Sequence, residues 1–246
     1  MEAPAFRSRT VPEVLDAGFQ MIRGNYGQLA VLALVLASPA LVLQFFLAGT
    51  EAQRVVDLVQ GLMGNYVTAA TVVVVSEAYL GRSIETGDVL RRVGERFGSI
   101  WSAAWIRGFL LIFGLLLLVI PGIIAMIVTF AMPIVVMLEG ASASESFDRS
   151  RALSKQNWGR IAFTLGLTVL MQYLGLFGGG VVLTVLFGPS VTSLMLVQVL
   201  VALLAPFPAV VGTVLYYDLR IRKEGFDIQM LMEAMEPTRR KMKFAF

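Results

Sequence analysis

Long apolar runs make up most of the chain, and short polar segments separate them. Six of these runs are long enough to cross a hydrocarbon core of about 30 Å at roughly 1.5 Å per helical residue. They lie near residues 29–48, 58–80, 100–120, 122–138, 161–187 and 191–217. The pattern predicts an all-α integral membrane protein with about six transmembrane helices, arranged as three hairpins.

Each hairpin follows a segment that is predicted to form a cytoplasmic interfacial helix. Residues 11–23 place apolar side chains on one face, with Thr10 as the N-cap, which is typical of a helix lying in the headgroup plane. A second candidate covers about 86–97. A third begins with Ser142 and Glu145, spaced as a capping box, and its thin apolar face suits packing on protein.

A short motif opens three of the spans: an aromatic residue, a glycine, any residue and an aliphatic residue. Both a true internal repeat and the ordinary preference of aromatic residues for membrane interfaces explain it, and we favour the repeat. Three parallel units argue against the inverted repeats of many secondary transporters. The motif occurs as Tyr26-Gly27-Gln28-Leu29, Phe97-Gly98-Ser99-Ile100 and Trp158-Gly159-Arg160-Ile161.

The basic residues predict the orientation of the six spans. Of the 20 Lys and Arg residues, all but two fall on one side, with Arg54 on the other side and Arg107 inside a span. The positive-inside rule therefore predicts that both termini are cytoplasmic, whereas seven spans would put the basic tail outside. We expect a single membrane domain over 1–246. It would comprise an amphipathic helix (1–27), a six-span bundle (28–217) and a basic cytoplasmic tail (218–246).

The lengths of the last two spans exceed what a membrane requires. We expect these helices to tilt or bend, at the glycines of residues 178–180 and at Pro206 and Pro208.

Charged residues within the spans are rare and predict one structural contact. Only Glu77 and Arg107 lie inside the predicted spans, and Glu139 follows the fourth span on the same side. A lone charge there would cost up to about 3 kcal/mol on an insertion scale. We therefore expect Arg107 to pair with one of these carboxylates or to snorkel, and we prefer this to a substrate site.

The residue inventory argues against an enzyme. The chain has no Cys and no His, which excludes thiolate or imidazole ligands and the usual general base. No phosphate-binding glycine loop occurs, and no catalytic residue, cofactor site or metal site is predicted.

The basic tail is predicted to contact lipid rather than nucleic acid, because its charges begin directly after a span. Arg220, Arg222 and Lys223 should contact anionic headgroups, each contributing on the order of 1 kcal/mol. A following helix at about 226–235 would lie on the membrane or dock on a protein partner, or it would be an ordinary amphipathic end to the span, and the sequence does not decide between these. No oligomeric state follows from the sequence.

Several segments resemble a known bacterial family. They are Pro121-Gly122, Glu139-Gly140, Arg149-Ser150 with Leu153, and above all the twelve-residue run from Tyr216 to Asp227, YYDLRIRKEGFD. Over about residues 10–230 the chain is similar to the membrane-domain family named after glycerophosphoryl diester phosphodiesterase. The resemblance covers the membrane part only and implies a bacterial inner-membrane location. It implies no transferable activity, because the phosphodiesterase belongs to a separate soluble domain.

Two functions remain after these exclusions. The first is a non-enzymatic scaffold or anchor for a membrane assembly, acting through its cytoplasmic helices and tail. The alternative is a lipid or small-solute transporter, suggested by prolines within spans and by polar side chains that could line a cavity: Gln60, Asn65, Gln172 and Gln198.

Overall fold

Ten α-helices form the part of the chain that this computed structural model describes, residues 9–47 and 51–225. No strand occurs in these ranges. The predicted helix at 226–235 lies outside them. The helices are α1 (Val11–Leu47), α2 (Gln53–Tyr79), α3 (Thr86–Glu95), α4 (Phe97–Leu117), α5 (Val119–Thr129), α6 (Met132–Leu138), α7 (Ala143–Ser154), α8 (Trp158–Phe187), α9 (Val191–Leu204) and α10 (Pro206–Glu224).

Six helical segments are long and apolar enough to cross a membrane. They are α1, α2, α4, α5 with α6, α8, and α9 with α10. The chain is therefore an all-α, multi-pass membrane protein, as its hydrophobic pattern predicts. α10 is the most central helix, because most of its residues are buried between α1, α2, α6 and α8.

One surface helix was predicted wrongly, because α1 joins the amphipathic segment 11–23 and the first span into a single helix of 37 residues. No proline or left-handed residue interrupts it between them. Its apolar face packs on α10: Val14 is fully buried, and a Cβ on Gly18 would lie 3.0 Å from Val211. Protein rather than lipid headgroups covers this face.

The other two predicted short helices are present as separate elements. α3 precedes α4, and α7 precedes α8. The capping box of α7 is formed in both directions, since Ser142 Oγ accepts from the Glu145 amide and the Glu145 carboxylate accepts from the Ser142 amide.

Serine hydroxyls of α7 bind backbone groups that are left without helical partners where the fourth span is interrupted. Pro133 has no N–H to donate to the carbonyl of Thr129, and the helix is interrupted at Phe130 and Ala131, between α5 and α6. The Ser150 hydroxyl donates to the carbonyl of Val128 (2.6 Å) and accepts from the Ala131 amide (3.1 Å). The Ser154 hydroxyl donates to the carbonyl of Ile127 (2.8 Å). The prediction that this helix packs on protein is therefore confirmed.

Regular helix is interrupted at the prolines and not at the glycines. α8 continues unbroken through residues 178–180, whereas the sixth span changes from α9 to α10 at Ala205, immediately before Pro206. α10 then continues to Glu224, seven residues beyond the predicted end of the span at Tyr217. This extension places Asp218 inside a helix.

Candidate functional site at the basic end of the bundle

The polar contacts that join several helices concentrate at one end of the bundle. We call it the basic end. It comprises the starts of α1 and α8, the final turns of α2, α6 and α10, and the short helices α3 and α7.

Asp218 is the centre of the basic end and is fully buried. Its Oδ2 atom lies 2.8 Å from Nη2 of Arg160 and accepts from Nε of Arg222 at 3.0 Å. Its Oδ1 atom accepts from the backbone amide of Arg9 at 2.6 Å. One carboxylate thus joins α10, α8 and Arg9, which lies two residues before α1, and its buried charge is paired with two guanidinium groups.

The carbonyl of Arg9 extends this cluster. It accepts hydrogen bonds from both guanidinium groups that contact Asp218, with a distance of 2.7 Å from Nη2 of Arg222 and a second contact from Nη2 of Arg160. Arg160 and Arg222 therefore each contact both the Asp218 carboxylate and the Arg9 carbonyl.

Two stacked tyrosines connect the cluster to α2. The rings of Tyr79 and Tyr217 lie 4.5 Å apart and are nearly parallel. The Arg9 guanidinium donates to the Tyr79 hydroxyl at 2.9 Å and lies over the Tyr79 ring. The Tyr217 hydroxyl lies 2.6 Å from Oγ of Ser76. The consecutive residues Tyr217 and Asp218 therefore contact different helices.

A second ionic cluster holds α6, α7 and α10 together. Glu139 accepts from the Tyr216 hydroxyl (2.6 Å) and from Nε of Arg149 (2.9 Å). Arg149 also donates to Glu224 at 2.9 Å, and Arg220 donates to Glu224 at 3.1 Å. Hydrogen bonding to Glu224, followed by hydrogen bonding and attraction to Glu139, raises the pKa of the Arg149 guanidinium above its ordinary value.

The Glu139-Gly140 pair needs glycine for two reasons. Gly140 has a φ of +69°, which is in the left-handed region. The Arg96 guanidinium donates to its carbonyl at 2.7 Å, and a Cβ on residue 140 would lie 2.6 Å from this group. The glycine thus allows the loop after α6 to receive Arg96.

The structure does not bring Arg107 to either carboxylate that was expected to pair with it. Glu77 pairs with Arg92 at 2.7 Å, and Glu139 pairs with Arg149. Arg107 lies ten residues after the start of α4 at Phe97. The alternative, that Arg107 snorkels to the membrane surface, stays a prediction. Among the described residues, its buried Nε atom has no hydrogen-bond partner.

The three residues predicted to contact headgroups all have acceptors within the protein. Arg220 pairs with Glu224, Arg222 pairs with Asp218, and Nζ of Lys223 donates to the carbonyl of Ala152 at 2.8 Å. Their binding to lipid headgroups stays a prediction. Two of them also join α10 to its neighbours, since Arg222 donates to the carbonyl of Arg9 and Lys223 donates to Ala152 on α7.

Sequence reasoning missed Asp218, Arg160 and Arg9 as members of one site. The available signal was the four-residue spacing of Asp218 and Arg222, which places both on one face of a helix. Ending the predicted span at residue 217 made Asp218 look like a loop residue. The contact between residues 9 and 218 has no local signal at all.

The charged groups of the basic end link helices to one another through ion pairs. Its carboxylates Asp218, Glu139 and Glu224 each contact at least one guanidinium. Within residues 9–47 and 51–225, no group of three or more acidic, Cys or His residues could hold a metal ion.

Glutamines form a separate polar cluster near the opposite end. Gln60 donates to Gln198 at 2.7 Å, and Gln53 and Gln198 both donate to Oε1 of the buried Gln44, at 2.9 and 3.3 Å. Gln60 and Gln198 border a cavity of about 90 Å³ between α1, α2 and α9 whose other lining is mainly apolar.

No protein-family model, curated protein or solved structure matches this chain.

Proposed function

We propose that this chain is a non-enzymatic protein of the bacterial inner membrane, with both termini in the cytoplasm, that scaffolds or anchors a membrane assembly. We also propose that it belongs to the membrane-domain family that its sequence resembles. One observation carries the scaffold proposal: the paired charges around Asp218 and Glu139 cross-link α1, α6, α7, α8 and α10 at the basic end.

A cross-linked end supports docking because a partner then binds a preorganised surface, which lowers the ordering cost of association. Charged side chains are available on that surface. Arg91 on α3 is 68% exposed, and Arg151 on α7 is exposed. A transporter that alternates between two arrangements would instead have to break these buried ion pairs or move the cross-linked helices as one body.

Site-specific photocross-linking tests the scaffold function. The chain has no Cys, so a cysteine-linked photoprobe can be placed at Arg91 or Arg151 with no competing thiol. The control position is the exposed Pro189, in the turn between α8 and α9 at the other end of the bundle. We expect one partner protein, in stoichiometric yield, from Arg91 or Arg151 and not from Pro189. Absence of such a product at both test positions would contradict the scaffold function.

The absence of catalysis is a separate proposal. It is supported by the pairing of Asp218, Glu139 and Glu224 with guanidinium groups, which occupies the clustered carboxylates that acid–base catalysis at this end would use. Purified protein should release no glycerol phosphate from glycerophosphodiesters. Turnover that is lost in Asp218→Asn but not in Asp88→Asn would overturn this proposal.

The glutamine-lined cavity favours the second candidate, a transporter. Its volume of about 90 Å³ is room for a few water molecules and is too small for a lipid. Vesicles containing the protein should therefore scramble lipids no faster than protein-free vesicles. Scrambling that is lost when Gln60 and Gln198 are changed to Leu would favour the transporter over the scaffold.

A further inference from the structure

Arg107 is a cation in the middle of a membrane-spanning helix. It is the tenth residue after Phe97 and the tenth before Leu117, the two ends of α4. This helix is about 30 Å long, close to the thickness of a hydrocarbon core. The guanidinium group carries five N–H donors and stays charged at any physiological pH.

No group in the described part of the chain neutralises this charge. Its Nε atom is buried and makes no hydrogen bond, and no carboxylate in residues 9–47 or 51–225 forms an ion pair with it. An unpaired cation at this depth is costly, and a well-packed apolar residue would avoid that cost. An anion from outside the chain that binds Arg107 would lower this cost.

The surroundings of Arg107 form a narrow groove between α2, α4 and α6. Three of its lining residues precede Arg107 on α4, as expected for a helical side chain that points toward the helix N-terminus. The enclosed volume is about 10 Å³, room for about one oxygen atom. The groove is lined by Asn65, Ile100, Ala103, Ala104, Met132 and Pro133.

The groove is reached from the outside of the bundle. Two of its lining residues, Arg107 and Asn65, are partly exposed. An anion on a membrane amphiphile can approach along this surface. Snorkelling of Arg107 and local thinning of the bilayer would bring the headgroup of such an amphiphile toward the guanidinium. Its acyl chains would then contact the apolar lining of the groove, which favours the amphiphile over a free inorganic anion.

We propose that this groove binds an anionic phospholipid, with one phosphate oxygen entering between α2 and α4 and accepting hydrogen bonds from the Arg107 guanidinium. Asn65 supplies a second polar side chain, and the apolar lining contacts the non-polar part of the lipid. The site is independent of the scaffold function and of the cluster around Asp218.

Lipid titration of the purified full-length protein in a neutral detergent tests this site. The probes are phosphatidylglycerol, phosphatidylcholine and inorganic phosphate, and the readout is the midpoint of thermal unfolding. The variants are Arg107→Leu and Arg107→Lys. Arg91→Leu is the control, because it removes the same charge from an exposed position on α3.

Phosphatidylglycerol should raise the midpoint of the wild type and of Arg91→Leu saturably. Arg107→Leu should require about tenfold more lipid, because it loses charge-assisted hydrogen bonds, and Arg107→Lys should fall between them. Without lipid, Arg107→Leu should be at least as stable as the wild type. Phosphatidylcholine should act weakly, and inorganic phosphate should have no effect.

Three results would overturn the proposal. If phosphatidylglycerol shifts the unfolding midpoint equally in the wild type and in both Arg107 variants, Arg107 does not bind this lipid. A response to inorganic phosphate that disappears in the Arg107 variants would identify a free anion as the ligand instead of a lipid. Failure of Arg107→Leu to fold would assign Arg107 a purely structural role. The same role would follow if Arg107→Leu lost much of its lipid-free stability and Arg107→Lys responded to lipid as the wild type does.

Discussion

The carboxylate of Asp218 on α10 and the guanidinium of Arg160 on α8 lie 2.8 Å apart, with Asp218 fully buried. A buried ion pair contributes little net stability compared with apolar packing, but removing one partner leaves the other charge unpaired. The pair therefore fixes how α8 and α10 meet. Because Asp218 also binds the Arg9 amide, it ties the start of α1 to the end of α10.

The first prediction concerns Asp218→Asn. This change leaves Arg160 and Arg222 without their carboxylate, and we expect a loss of about 3–5 kcal/mol in the free energy of unfolding. Unfolding by SDS in mixed micelles measures this quantity. The matched control is Asp88→Asn, which breaks an exposed pair with Arg91 and should cost less than about 1 kcal/mol. Equal effects of the two variants would contradict the central role of Asp218.

The second prediction concerns the break between α5 and α6. Ser150→Ala removes a donor to the Val128 carbonyl and an acceptor for the Ala131 amide, so it should cost about 1–3 kcal/mol. Ser146→Ala is the control on the same helix. Ser146 is also fully buried, but its hydroxyl donates only to Ala143 within its own helix. The same SDS unfolding measurement should show the larger loss for Ser150→Ala, and a larger loss for Ser146→Ala would refute this role of α7.

The third prediction concerns the turn between α4 and α5. A Cβ on Gly114 would lie 2.9 Å from the Cα atom of Gly122, and backbone cannot move aside as a flexible side chain can. Gly114→Ala should therefore lower the thermal unfolding midpoint. Gly108→Ala, on the same helix with nothing within 4 Å of its new Cβ, should be neutral or stabilising by up to about 1 kcal/mol. A stable Gly114→Ala protein would show that the hairpin does not depend on this close approach.

Much of the fold follows from the sequence because membrane spans depend on local composition. The six spans, the capping box at Ser142 and the bend before Pro206 all follow from residues that are close in the chain. The continuity of α1 does not, because the apolar face of residues 11–23 suits a lipid surface and a neighbouring helix equally well. The packing of Val14 and Gly18 against α10 decides between them.

The site was harder to predict than the fold. The pairing of Glu77 with Arg92 instead of Arg107 depends on where α3 lies against α2, which has no signal in hydrophobic periodicity. The twelve-residue run from Tyr216 to Asp227 has no periodicity that would predict its contacts. Within it, Tyr216, Tyr217 and Asp218 contact residues of α6, α2 and α8, respectively.

The central claim is a six-span membrane protein whose basic end faces the cytoplasm and is available to a partner there. Single-cysteine labelling with a membrane-impermeant reagent tests it most directly, using the exposed positions Glu51, Pro189 and Ser83. Glu51→Cys and Pro189→Cys should react in intact cells, whereas Ser83→Cys, in the loop between α2 and α3, should react only after the membrane is opened. Labelling of Ser83→Cys in intact cells, with Glu51→Cys and Pro189→Cys protected, would contradict the account.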